Sequence, residues 1–225
     1  MSDRFVLHAG KDEIETMFGV SSERDDYFEA DYNITPGSLH PIIIKEDSEP
    51  QLRQAQWGLI PRNAKEERQG KETFVVKSED VRDDEWTAEY LEQRRCLVPA
   101  NGFYKWKSSK KKTTPFYIRL LSNRLTAFAG IYSVWESPSG REVYSFAILT
   151  TKANTLVEPV DDRMPAFLNV DDYDKWLGPG ELAEETFKKL AVKPFDLTQM
   201  AVNRVSEKVN DISNNGPELI QPIPK

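Results

Sequence analysis

The sequence has a single cysteine, Cys96, and only two histidines, His8 and His40. One thiol excludes an intramolecular disulfide, and its setting in RRCLVP reads as a buried core thiol. So few soft ligands predict no metal site, and two isolated imidazoles supply no Ser-His-Asp set for a general protease. No apolar stretch approaches the roughly 20 residues that cross a bilayer, so no membrane association is expected. Positive charge is in deficit as well: 30 Lys and Arg face 37 Asp and Glu, for a net charge of -7. That balance argues against binding duplex nucleic acid through bulk electrostatics and leaves room only for a local basic patch. A cytoplasmic location is expected, nucleoid-associated if the chain binds DNA, because nothing resembling a signal peptide precedes the strand-like residues at Phe5.

What remains is ordinary for a globular protein: 225 residues, 39% hydrophobic and 11% aromatic, enough for one good core. Ile14, Met17 and Phe18 fall at helical spacing and Gly19 ends the pattern, which predicts a short helix. The stretch SSERDDYFEADYNITPG reads as polar and turn-rich. Leu39 to Lys45 and Gln51 to Leu59 read as strands joined by a polar turn ending in Pro50. IPRNAKEERQGKE reads as a loop, FVVK as a short strand, and Asp84 to Arg94 as a helix with Trp86, Tyr90 and Leu91 on one side. CLVPA, GFYKW, PFYIRL, LTAFAGIYSVW and VYSFAILTT then alternate with polar turns, the pattern of an antiparallel meander. The lysines at 110 to 112 sit in one of those turns. VDDYDKWL and GELAEETFKKL predict two short helices, and the tail reads as a strand followed by a loop. No linker or repeat divides residues 1–225, so the class is α+β in one domain with a dominant antiparallel sheet.

Nine collinear strings carry a family resemblance: DRF, YNITPG, QWGLIPRNAK, RRCLVPANGFYKW, FAGIY, FAILTTKAN, DDRMPAFL, VSEKVND and GPELIQP. Together they span nearly the whole chain, which resembles the SRAP family, the SOS-response-associated peptidases that process abasic sites in single-stranded DNA. The resemblance implies a branched, barrel-like, mainly antiparallel sheet flanked by short helices, with the N-terminus at a groove, and no cofactor. Family members begin M-C-G-R-F; once Met is removed, the cysteine amine and thiol close a thiazolidine on the abasic aldehyde. An asparagine, a glutamate in G-F-Y-E-W and a histidine in H-x-R-M-P support that step.

Each of these positions differs here. Ser2 stands for the cysteine, Val75 for the asparagine, Lys105 for the glutamate and Asp161 for the histidine; KETF (71 to 74) offers a rival match for the asparagine segment. A hydroxyl is a far weaker nucleophile than a thiolate at neutral pH, so stable cross-linking is expected to be lost. Lys105 and Asp161 exchange the sign of charge across the groove and are expected to pair. The resemblance assigns DNA contact to Arg4, Asn33, Pro36, Lys77 and Arg163. It also places Asn63 where the family often carries a tryptophan, a lost stacking platform of about 1 to 3 kcal/mol per base.

On the residues alone, Lys105 reads as a solvated strand lysine, Asp161 and Asp162 as a turn, Ser2 as a plain terminus, and Asn33 and Pro36 as turn formers. Three functions follow: a catalytically degenerate module that binds single-stranded or abasic DNA, a lyase whose Ser2 amine forms an imine, or a scaffold reused to bind a protein partner. The peptidase label of the family refers to removal of its own first residue, which places the chain among hydrolases by resemblance, and nothing in this sequence supports a general protease.

Overall fold

Runs of β-branched and aromatic residues build the sheets of the computed structural model, which describes residues 4–21, 29–110 and 112–223. The strands are β1 (Arg4–Leu7), β2 (Asp31–Ile34), β3 (Leu39–Glu46), β4 (Glu49–Trp57), β5 (Val75–Lys77), β6 (Arg95–Ala100) and β7 (Gly102–Ser108). There follow β8 (Thr113–Leu120), β9 (Thr126–Glu136), β10 (Glu142–Lys152), β11 (Arg163–Pro165), β12 (Phe167–Leu168) and β13 (Met200–Arg204).

Strands β10, β4, β3, β6 and β9 pair in that order, and β9 returns to β10, which closes a barrel. Its β4–β10 seam is parallel and the other seams are antiparallel. Strands enclosed on both faces read as continuous apolar runs, and Ile42, Ile43, Ile44 and Ala127 to Ala129 are fully buried. Gly130 lies in this wall because a Cβ there would meet Cys96 Sγ at 2.8 Å and Val98 Cγ2 at 2.9 Å.

The barrel branches where β9 and β10 part. Their pairing ends at Gly130 and Ile148, and residues 163–168 enter the gap, β11 pairing with β10 and β12 with β9. Between them the Ala166 amide donates to Leu149 O and its carbonyl accepts from the Ala129 amide. A second antiparallel sheet, in the order β13-β8-β7-β1-β2, packs beside the barrel. One of its faces joins the main core through Phe5, Phe103 and Ile118. The other forms a smaller cluster in which Val6, Tyr104 and Tyr117 meet Val205, Val209 and Leu219 of the C-terminal segment.

The α+β single-domain reading holds, as do the two longer helices, but the expected meander divides between two sheets: β7–β8 and β9–β10 are hairpins, whereas β6 pairs with β3 and β9 and the chain crosses between sheets after β6 and after β8. Helix α1 (Lys11–Phe18) buries Ile14 and Phe18 and closes on Gly19 at φ 64, whose amide donates to Glu15 O. Helix α2 (Glu85–Gln93) starts at Asp84, whose side chain accepts from the Trp86 amide. Helices α3 (Tyr173–Leu177) and α4 (Glu184–Phe187) are short, and α4 runs into a π-helical turn at Lys188–Val192.

Some local details differ from expectation. The β3–β4 connection is the pair Asp47 and Ser48, both with positive φ, and Pro50 lies inside β4. A two-residue turn of this hand matches the twist of its strands, as in a type I′ hairpin. The end of the polar stretch before Pro36 is strand β2, so Asn33 lies in a ladder and does not form a turn. The loop after Ile60 contains a 3-10 helix, Glu67–Glu72.

Candidate active-site groove

Alternation along β7 sends Tyr104 and Trp106 toward the smaller cluster and Phe103 and Lys105 toward the barrel. Both faces of the strand are covered there, so Lys105 is only 3% exposed, in contrast to the solvated lysine expected from the residues alone. It lines a narrow pocket of about 20 Å³ whose walls are mainly apolar: Phe5, Trp57, Val75, Phe103, Ile148 and Pro165. Arg4 and Thr150 complete the polar part of that lining. The pocket therefore gathers β1, β4, β5, β7, β10 and β11 at the branch of the barrel.

Lys105 Nζ lies 3.6 Å from Asp161 Oδ1, an ion-pair distance. The same Asp161 oxygen accepts from the Arg163 amide at 2.9 Å, which fixes the carboxylate where the chain turns into β11. The reciprocal exchange of charge seen in the sequence is thus a physical pair. Val75 faces the same pocket and pairs with Ile148. Ser2, with Met1 and Asp3, lies outside the described residues.

The two arginines named for DNA contact are engaged by the protein itself. Arg163 meets Glu79 through a two-pronged fork, Nη1 to Oε1 at 2.9 Å and Nη2 to Oε2 at 2.8 Å, and Nη2 also donates to Thr150. Burial alone would raise the Glu79 carboxyl, but hydrogen bonds from Arg163 and the backbone, together with the Arg163 charge, hold that group below its ordinary value. Arg4 donates to Asn33 Oδ1 at 3.1 Å, to Val209 O, and to Asn210 O at 3.2 Å, with its guanidinium 5.3 Å above the Trp106 ring. Asn33, 5% exposed, donates from Nδ2 to Asp211 O at 3.0 Å and Asn214 O at 2.9 Å. Arg4 and Asn33 together clamp the C-terminal segment onto β1 and β2. Pro36 lies partly buried in the turn after β2 and does not line the pocket.

Cationic groups at the rim follow a simple rule of strand geometry. Lys77, Lys107 and Lys152 are exposed, and each lies two residues beyond a pocket-lining residue, Val75, Lys105 and Thr150. A period of two puts each lysine on the same strand face as its lining partner. Of the three only Lys77 was named as a DNA contact from the sequence; it sits 3.7 Å from Asp80. Thr150 and the partnership of Glu79 with Arg163 also went unread, because nothing in FAILTT or KSED marks them before the chain is folded.

His40 is the one deeply buried imidazole among the described residues, and burial pulls its pKa down to about 3. Asp31 Oδ2 stands 3.9 Å from its Nε2, beyond hydrogen-bond reach, so the ring is neutral. The described residues contain no cluster of three or more metal-ligating side chains and no helix long and apolar enough to cross a membrane.

The fold, a closed mixed barrel with extra strands and short helices, recurs in solved structures. A protein from Bacteroides thetaiotaomicron superposes with a TM-score of 0.85 at 25% identity, covering 98% of this chain and 99% of that one. A phage-related protein from Bordetella bronchiseptica gives 0.68 at 22% identity over 91% and 94%. The family model described as SOS response associated peptidase (SRAP) matches residues 1–212, and the chain belongs to the SRAP family. Among curated relatives, the abasic site processing protein YoqW of Bacillus subtilis is 35% identical over 223 residues, covering 98% of this chain and 99% of the relative. The abasic site processing protein HMCES of Gallus gallus is 30% identical, covering 89% of this chain and 68% of its own.

Proposed function

We propose that this chain recognises abasic sites in single-stranded DNA and holds them without a stable thiazolidine cross-link. The observation that carries the reading is the groove itself: a mainly apolar pocket lined in part by Lys105, which pairs with Asp161 beside it, and rimmed by the exposed Lys77, Lys107 and Lys152. The lysine rim supplies a local positive field that a net charge of -7 conceals. Backbone phosphates would meet these exposed ammonium groups, while the base-free sugar, smaller than a nucleotide, faces the pocket. The family and its abasic-site-processing relatives support the substrate class.

The binding test compares a single-stranded oligonucleotide carrying a tetrahydrofuran abasic analogue with its intact counterpart, across a salt series. Tighter binding to the analogue is expected. Lys77→Ala, Lys107→Ala and Lys152→Ala combined should weaken binding and flatten the log-log salt slope by about 2, since each single-strand phosphate contact accounts for about 0.7. Equal affinity for the two strands, or an unchanged slope in the triple variant, would refute the reading. Intact-mass measurement after incubation with aldehyde-bearing abasic DNA, without a reductant, should show no adduct that survives denaturation.

A further inference from the structure

The groove holds an amine of its own. We infer that Lys105 forms a reversible imine with the ring-opened aldehyde of the abasic sugar, with Asp161 as its proton partner. This inference rests on the proposed recognition of abasic DNA and adds a covalent step to it.

Three observations support the assignment. Lys105 Nζ faces a pocket lined by Phe5, Trp57, Val75 and Phe103, and it has a carboxylate oxygen 3.6 Å away. Asp161 is anchored through its Oδ1 to the Arg163 amide, so the acceptor is held in place. Lys105 is 3% exposed and lies beside Phe5, Trp57, Val75 and Phe103, so the amine and the carboxylate that can take its proton are held together at the edge of the pocket.

The step balances within the pair. Asp161 accepts one ammonium proton, and the freed Lys105 amine adds to the C1′ carbonyl carbon of the sugar. The resulting carbinolamine oxygen takes up the proton returned by Asp161 together with one from nitrogen, and leaves as water. A protonated imine and an Asp161 carboxylate remain, preserving the original charge pair. Water reverses the sequence, so no adduct persists without a reductant, in keeping with the absence of stable cross-linking.

The experiment uses the full-length protein and a single-stranded oligonucleotide with one aldehyde-bearing abasic site, with and without sodium borohydride, followed by peptide mapping of the reduced adduct. The expected result is a borohydride-dependent adduct on Lys105. Lys105→Arg keeps a cation beside Asp161 and cannot form an imine; it should abolish trapping while the protein still binds the tetrahydrofuran analogue more tightly than the intact strand. Asp161→Asn should slow trapping at least about ten-fold without matching loss of analogue binding. An adduct mapped to the N-terminal residue, or one that persists in Lys105→Arg, overturns the assignment. Absence of trapping with analogue binding intact overturns it and leaves the recognition reading standing. Failure of the parent protein to prefer the analogue refutes that recognition reading, and this inference falls with it.

Discussion

The barrel and the C-terminal segment are fastened by different forces. In the barrel, Ile42 to Ile44, Ala127 to Ala129 and Phe146 to Leu149 are buried within a continuous apolar cluster. In residues 205–220 only Val205, Val209 and Leu219 are fully buried, and the remaining attachment is polar: Asn33, Arg4, the Tyr32 amide on Asn215, Lys112 with Glu207, and the Trp106 indole, which donates to Asn210 Oδ1 at 2.7 Å. Apolar burial accumulates with area, whereas a hydrogen bond exchanged with water contributes only about 1 kcal/mol net. The barrel should therefore open only with global unfolding, and the segment should open first. Arg4 and Asn33, marked by the resemblance for DNA, are among the residues that hold this weaker part.

Four measurements can break or sharpen that contrast. The largest effect should come from acid. Because His40 has its folded pKa lowered to about 3 from an unfolded value near 6.5, the unfolded chain binds more protons between those limits. Stability therefore falls as pH drops through that window, by roughly 4 kcal/mol at its lower end. Asp31, raised by burial, acts oppositely just above its ordinary value and returns part of the loss. Urea titrations from pH 7 to pH 4 should show the decline, and His40→Gln should flatten it; an unchanged slope in that variant would exclude the imidazole as the cause.

Phe128 packs edge-on against Phe5, Phe103 and Phe167, so Phe128→Ala should cost about 3 to 4 kcal/mol in denaturant unfolding. Its protection against hydrogen exchange should fall across the barrel together. Asn33→Ala removes the side-chain donor to the Asp211 and Asn214 carbonyls and one of the acceptors of the Arg4 guanidinium, at a cost of about 2 kcal/mol. Here hydrogen exchange should rise at residues 207–214 while barrel amides keep their protection; an equal rise in both would show that the two regions are one cooperative unit. Glu79→Gln weakens the fork on Arg163, a part-exposed contact, and should cost about 1 kcal/mol, measurable as a small shift in the urea midpoint.

Much of the architecture was legible because each signal was local. Ile14 and Phe18 on α1, the capping Asp84, and the aromatic alternation of β7 state their structure within a few residues. Strand β2 was missed because Asp31 to Ile34 is paired through β1, and its short polar flanks resemble a turn. The burial of Lys105 was hidden for a related reason: alternation specifies a face, but the barrel packed against that face comes from strands tens of residues away. At the site, the Lys105–Asp161 pair followed from comparing motifs. The roles of Thr150, Glu79 and the Lys152 rim emerge only when β5, β10 and β11 meet.

The wedge of residues 163–168 has a consequence for how such a groove changes over evolutionary time. Its position is secured by main-chain hydrogen bonds, to Leu149 O on one side and from the Ala129 amide on the other, and main-chain bonds are indifferent to side-chain identity. Residue 163 is therefore delivered to the branch whatever it is, with residue 161 directly ahead of it. A side chain can change there without altering the frame that presents it, so the chemistry of the groove is free to drift while the scaffold stays constant.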